Sequence, residues 1–155
     1  MKERYDTYCG LYCGSCEVFL ANRKGLVDEL AREWEMNPAD LRCNGCKDEL
    51  VATFCRSCKI KGCAEDKGIG FCFQCADYPC KILSDFKNDH RPHHSIVLYN
   101  LALIKGNGLN KWLKEQEIRW SCPGCGEKYS WYDESCLNCN SALKNCLDDE
   151  KELED

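Results

Sequence analysis

Once its cysteines are set aside, this 155-residue chain is short of oily residues. The apolar fraction of 44% counts sixteen cysteines, and what remains is a few aliphatic positions with four Trp, seven Tyr and five Phe. A segment of about 40 residues with so little to bury does not hold itself together unaided. No apolar run is long enough to cross a bilayer, since the longest patch, SIVLYNLALI, is too short and too interrupted, so no membrane contact is expected. The opening MKERYDTYCG carries no apolar stretch after its charges, so no signal peptide is expected and the setting is read as cytoplasmic. There is no phosphate loop, no Ser-His-Asp set and no paired-carboxylate motif, so an enzyme is the less supported class. Cations are in deficit too. The net charge of −5 makes nucleic acid an unfavoured partner, and metal ligation deepens the deficit. Each four-thiolate zinc site adds −2, so three would bring the charge to about −11.

What the chain has in excess is thiol. At this density cysteine reads as a disulfide scaffold in a secreted protein, but in a reducing compartment as metal ligation, the reading adopted here. The cysteines fall into three blocks separated by helical stretches. Cys9, Cys13 and Cys16 precede EVFLANRKGLVDELAREWEM, where Leu26, Leu30 and Trp34 repeat at i, i+4 along an amphipathic helix broken near Gly25. Asn37 before Pro38 supplies a cap and a first-turn proline for another short helical turn. Eight thiols follow between Cys43 and Cys80. Beyond them, Val97, Leu101 and Ile104 share one helix face, and Gly106-Asn107-Gly108 turns that helix back into LNKWLKEQEIRW as a helical hairpin. Local charge follows this division: −2 over residues 1–80, +3 over 81–120, −6 over 121–155. The central cations are scattered among apolar residues, which describes a solvated helix face rather than a nucleic-acid footprint.

The strongest chemical signal lies at the C-terminal end. Cys122-x2-Cys125 and Cys136-x2-Cys139 are two knuckles with ten residues between them, and Gly126 and Asn140 after the second cysteine of each tolerate a left-handed backbone. They predict a tetrahedral S4 cage in a short β zinc ribbon, with every position filled by protein. Iron in a rubredoxin-like cage is the rival, and the short gap favours zinc. Trp120, Tyr129, Trp131 and Tyr132 are expected to roof the ribbon's small core.

Elsewhere the thiols pair as Cys13-x2-Cys16, Cys43-x2-Cys46, Cys55-x2-Cys58 and Cys72-x2-Cys75. The spacing Cys9-x3-Cys13-x2-Cys16 is similar to that of radical S-adenosylmethionine enzymes. Ser15 stands where those enzymes carry an aromatic residue, however, and a helix follows in place of their alternating strands and helices. Neither ferredoxin order occurs, and no CxxC sits between a strand and a helix as a thioredoxin motif does. Structural metal remains. Two sites take eight thiols, most simply Cys13, Cys16, Cys43 and Cys46 in one and Cys58, Cys63, Cys72 and Cys75 in the other. Cys9, Cys55 and Cys80 either complete a further site with His90, His93 or His94 or are buried small hydrophobes. The histidines read as solvated residues around Pro92. Cys146, beside Asp148 and Asp149, reads as a free thiol with a raised pKa.

The ordered set CGLYCGSCEVFLA, CNGCK, CRSCKIKGCAEDKG, FCFQCADYPC and W-x-CPGCG resembles a family of short cysteine-rich bacterial and archaeal proteins known only as a domain of unknown function. The likeness spans residues 7–125 and covers Cys9, Cys13, Cys16, Cys43, Cys46, Cys55, Cys58, Cys63, Cys72, Cys75 and Cys80, with Tyr78-Pro79-Cys80. It implies metal binding, by zinc, and makes the spare thiols candidate ligands. It implies no reaction, and it makes the ribbon an appended module. The expectation is therefore a small mostly-α, metal-stabilised, multi-zinc domain with a helical hairpin and a C-terminal β zinc ribbon. Residues 1–90 form the cysteine-rich domain, 91–120 the hairpin completing it, 121–146 the ribbon and 147–155 an acidic, frayed tail. Such a protein holds about three zinc ions and acts as an interaction or adaptor module for another protein. An iron-sulfur redox protein is the alternative.

Overall fold

A computed structural model describes residues 4–154; residues 1–3 of the expected first domain and 155 of the acidic tail lie outside it. Among the described residues there are eight α-helices and no strand. Helix α1 (Glu17–Lys24) buries Val18, Phe19 and Ala21 and stops at Gly25, whose left-handed backbone (φ 70°) returns its N–H to the Ala21 carbonyl. Helix α2 (Val27–Glu33) resumes at once and buries Val27, Leu30 and Ala31, while Leu26 and Trp34 stay exposed. The break expected at Gly25 is therefore present. So is the Asn37 cap, whose side chain accepts from the Ala39 N–H at 3.0 Å ahead of a 3-10 turn over Pro38–Leu41.

Short helices α3 (Thr53–Arg56), α4 (Lys59–Lys67) and α5 (Lys81–Lys87) thread between thiols. The hairpin follows as α6 (Val97–Asn107) and α7 (Leu109–Arg119), turning at Gly108. Val97, Leu101 and Ile104 are buried as their spacing predicts, and α7 buries Trp112 completely. Asn100, on the same face, donates from Nδ2 to the Gly10 carbonyl at 2.8 Å. Gly10 (φ 96°) has to be glycine there, because a Cβ would stand 2.7 Å from the Val97 carbonyl oxygen. That close approach seats the first thiol loop on the hairpin.

The β ribbon expected after Trp120 is absent. Two isolated antiparallel bridges, Ser121 with Lys128 and Ser135 with Ala142, each close one knuckle, and no ladder joins them. The physical reason lies in where the intervening donors go. The Trp131 N–H bonds Ser15 and the Cys146 N–H bonds Trp131. The Ser130 N–H bonds the Asp133 carboxylate at 2.9 Å in a tight turn. Backbone groups sent to three such partners leave none to extend the bridges into a strand pair.

Apolar side chains gather into three small clusters. One joins α1 and α2 to Leu41, Cys43, Val51 and Ala52. A second gathers Cys9, Ile60, Leu83, Val97 and Leu101. A third runs from Tyr12 through Ile104 and Trp112 to Trp120, Cys122, Tyr129, Cys136, Leu143 and Cys146. The C-terminal knuckles thus share a core with the N-terminal loop and the hairpin. The expected frayed tail is instead helix α8 (Cys146–Glu154). Its Asp149 takes two 3.0 Å hydrogen bonds from Arg119, which also donates to Tyr129 Oη and the Lys144 carbonyl. Among the described residues no helix is long and apolar enough to cross a membrane.

Candidate metal centre

The sulfurs of Cys122, Cys125, Cys136 and Cys139 all lie within 4.8 Å of one another. Cys122 and Cys139 stand 3.5 Å apart, and Cys125 and Cys136 3.6 Å apart. A disulfide needs about 2.05 Å, so these are not bonded pairs. Four thiolates at about 2.3 Å from one central ion lie about 3.8 Å from each other, the edge of the tetrahedron. The observed separations fall just inside that edge.

The two knuckles build this arrangement with the same backbone bonds. In the first, Gly126 N–H returns to the Cys122 carbonyl and Cys122 N–H reaches Glu127; in the second, Asn140 N–H returns to Cys136 and Cys136 N–H reaches Ser141. Gly126 (φ 81°) and Asn140 (φ 63°) take the left-handed turn their positions demand. Where the knuckles meet, a Cβ on Gly124 would lie 2.5 Å from Ser141 Oγ and 3.2 Å from Cys139 Sγ. Cys122 and Cys136 are buried, whereas Cys125 and Cys139 face solvent. The Ser141 hydroxyl and N–H pull the Cys139 thiol down to about 6. Against the pull of the Cys139 N–H, desolvation and the neighbouring Cys125 and Cys122 carry Cys136 up to about 11. The group can take up a cation by releasing its remaining protons.

The N-terminal thiols gather as well. All sixteen cysteines are free. Burial, then the charges of Cys46, Cys16 and Cys43, push Cys13 well up, so the first expected quartet shares one neighbourhood. Burial also raises Cys55, with Cys16, Cys43, Cys46 and Cys58 as the acting neighbours. Cys63, Cys72, Cys75 and Cys80 line one small apolar cavity with Ile60, Leu83 and Tyr78. Burial and then Cys80 and Cys63 carry Cys72 up to about 12. Cys80 lines that cavity with Cys63, Cys72 and Cys75, and Cys58 is not part of its lining. Cys58 acts on Cys72 as well as on Cys9 and Cys46. Cys9 is buried, 3.5 Å from Thr7 Oγ1, and pushed up to about 11 by that burial. Among the described residues no second set of three candidate ligands is drawn within 4.8 Å.

Local chain direction explains much of this. Three CxxC pairs close on the same turn, the second cysteine's N–H reaching the first's carbonyl: Cys16 to Cys13, Cys58 to Cys55 and Cys75 to Cys72, at 3.0–3.1 Å. Cys16, Cys58 and Cys80 are the cap residues from which α1, α4 and α5 begin. Around Cys16, the N–H groups of Phe19 and Val18 offset part of the burial that carries its thiol to about 11.

Three lysines complete the surroundings, and sequence reading passed over them. Lys67 Nζ lies 3.0 Å from Cys75 Sγ and draws that thiol's pKa down. Lys61 donates to the Cys46 carbonyl. Lys47, its side chain 5% exposed, pairs with Asp6 at 2.9 Å and sits 3.8 Å from the centre of the Phe71 ring. Their signal was their place, one residue after CNGC and inside CKIKGCAEDK.

Among the described residues no histidine belongs to the group of four candidate ligands, and the histidines are not all solvated. His94 is buried, stacks on Phe86 at 3.7 Å and bonds Asp89 at 2.8 Å. His93 stacks on Trp131 at 4.2 Å, and burial pushes it down to about 3. His90 is exposed. Of the rings expected to roof the knuckles, Trp120 and Tyr129 lie in their core and Trp131 packs against it while also stacking on His93, whereas Tyr132 packs on His93. Burial carries Cys146 up to about 11, with Asp149 adding to the shift and the Tyr132 hydroxyl opposing it.

In comparison with known proteins, a family described as a protein of unknown function (DUF3795) aligns with residues 5–85. No curated protein and no solved structure matches the chain.

Proposed function

We propose, from the premise that the chain belongs to the DUF3795 family, that it is a zinc protein whose ions are structural and whose folded surface serves as a binding module for another protein. The observation that carries this reading is the four-sulfur group of Cys122, Cys125, Cys136 and Cys139, with its paired separations of 3.5 and 3.6 Å. A cage with four protein ligands offers no open position for substrate, which supports a structural role. The remaining ligands in this reading are Cys13, Cys16, Cys43 and Cys46 in one site and Cys63, Cys72, Cys75 and Cys80 in another. A protein partner is supported by the apolar side chains left bare on an acidic chain. Leu137, at the tip of the second knuckle, is 93% exposed and Ile118 77%.

The experiment is elemental analysis of untagged protein, with the Cys122→Ser/Cys136→Ser variant beside it. About three zinc ions per chain and one fewer in the variant are expected. Unchanged metal content in the variant would remove the carrying observation. An iron-sulfur cluster is a second reading for the N-terminal thiols only. They are gathered, yet no three of them, among the described residues, are as close as the C-terminal four. A polynuclear cluster holds its thiolates further apart than a single ion does. Iron with inorganic sulfide and absorption near 400 nm in anaerobically prepared protein would select that reading; colourless protein selects zinc.

A further inference from the structure

A groove of about 760 Å³ that no thiol lines runs between the N-terminal segment, α1, α7 and the first C-terminal knuckle. That volume lies within the range of small-molecule sites. Its floor is apolar and largely aromatic. The Tyr5 ring lies 5.8 Å from Tyr12 and 5.4 Å from Phe19, centre to centre, and Leu20, Leu109 and Leu113 continue the surface they form.

Three features give the groove a sign. On a chain of net charge −5, five cations against three carboxylates line it. The carboxylates are all taken. Arg4 pairs with Asp6 at 3.1 Å, Lys24 with Glu127 at 3.1 Å and Lys128 with Glu117 at 3.5 Å, whereas Lys114 has no partner among the described residues. The second feature is the start of α7, whose Leu109 and Asn110 stand in the wall: no side chain caps it and its first turn holds no acidic residue. Its N–H groups and dipole favour an anion. The third is the hydroxyl of Tyr12, a residue only 7% exposed, which makes no hydrogen bond among the described residues. That hydroxyl faces Gly14 in the groove wall, where a Cβ would stand 2.6 Å from it. A buried hydroxyl ordinarily has a partner, and this one has a proton to donate. A cation meets a surplus of its own sign here, an inorganic anion leaves the rings uncovered, and a neutral apolar molecule leaves Tyr12 and Lys114 unanswered. We propose that this groove binds a small organic anion, a carboxylate carried on an aromatic body.

The test uses the full-length, metal-loaded protein labelled with nitrogen-15 and titrated with sodium 2-naphthoate. Its neutral twin, 2-naphthamide, keeps the rings without the charge, and sodium acetate keeps the charge without the rings. The backbone N–H signals of Gly14 and Gly126, in the groove wall, should shift saturably with naphthoate, while those of Gly62 and Gly68, outside it, stay still. The amide should bind about tenfold more weakly, and acetate should move neither signal at the same concentration. Lys114→Gln and Tyr12→Phe should each weaken naphthoate about fivefold with metal content unchanged. Lys105→Gln makes the same charge change outside the groove and should leave the affinity as it was. Equal binding of the amide or of acetate, no saturable shift at Gly14 and Gly126, unaltered affinity in both groove variants, or an equal loss in Lys105→Gln would overturn the assignment. None of these readouts depends on which metal the thiols hold.

Discussion

Removing the C-terminal cage should cost the protein more than one local element. Cys122 and Cys136 are buried in the same cluster as Trp112, Trp120, Tyr129 and Tyr12, so the Cys122→Ser/Cys136→Ser variant takes two ligands out of a core that spans the molecule. A structural zinc contributes on the order of 10 kcal/mol or more at neutral pH, against a net stability of roughly 5–15 kcal/mol for a whole domain. The cluster holding the cage should therefore open at room temperature, exposing Trp112, which is 0% accessible when folded. Loss of one ion per chain, collapse of the near-ultraviolet circular dichroism and a red-shifted tryptophan emission are expected together. Cys146→Ala is the matched control. It removes a sulfur from the same cluster but from outside the cage, so it should leave metal content intact and cost about 1–3 kcal/mol, or roughly 2–4 °C per kcal/mol in melting temperature. If the double variant lost its ion yet kept its near-ultraviolet spectrum and melted within a few degrees of the parent, the argument that metal substitutes for core would be refuted.

Gly124→Ala places a methyl group 2.5 Å from Ser141 Oγ, so it should weaken metal retention in a chelator competition and destabilise by about 1–3 kcal/mol, and Ser141→Gly in the same chain should recover part of the loss. Asp6→Asn leaves Lys47 buried without its counter-charge and should cost about 3–5 kcal/mol in denaturant unfolding, whereas Asp6→Asn with Lys47→Met should cost much less. For His93 the sign of the pH effect follows from its folded pKa, about 3, lying below the ordinary 6.5. The unfolded chain binds the extra proton, so stability is fully present above pH 6.5 and falls as pH drops toward 3, by at most about 1.4 kcal/mol per unit. His93→Gln should flatten that part of the profile in parallel melts between pH 7 and pH 5.5, and an unaltered slope would show that the ring is solvated.

The features legible in the sequence are those set by a few adjacent residues. Gly25 ends a helix because it alone takes φ 70° without strain, Asn37 caps because its side chain reaches two residues ahead, and each knuckle needs a left-handed residue after its second cysteine. Where sequence reading failed, the deciding partner arrives from far along the chain. Trp131 and Cys146 could have made a hairpin, but their N–H groups meet Ser15 and Trp131 once the knuckles pack on the N-terminal loop. The acidic tail becomes α8 because Arg119, thirty residues away, offers Asp149 two hydrogen bonds. His93 and His94 leave solvent because Trp131 and Phe86 come to cover them. The thiols lie between these limits. A CxxC pair announces its own turn, but which pairs meet is settled by helices that themselves begin at Cys16, Cys58 and Cys80. The arrival of Cys80 beside Cys63, Cys72 and Cys75 follows from that dependence. Cys58 starts α4 and Cys63 lies within it, and α4 packs against α5, which starts at Cys80, so the packing of two helices brings Cys80 to the cavity lined by Cys63, Cys72 and Cys75, a meeting that spacing alone does not reveal.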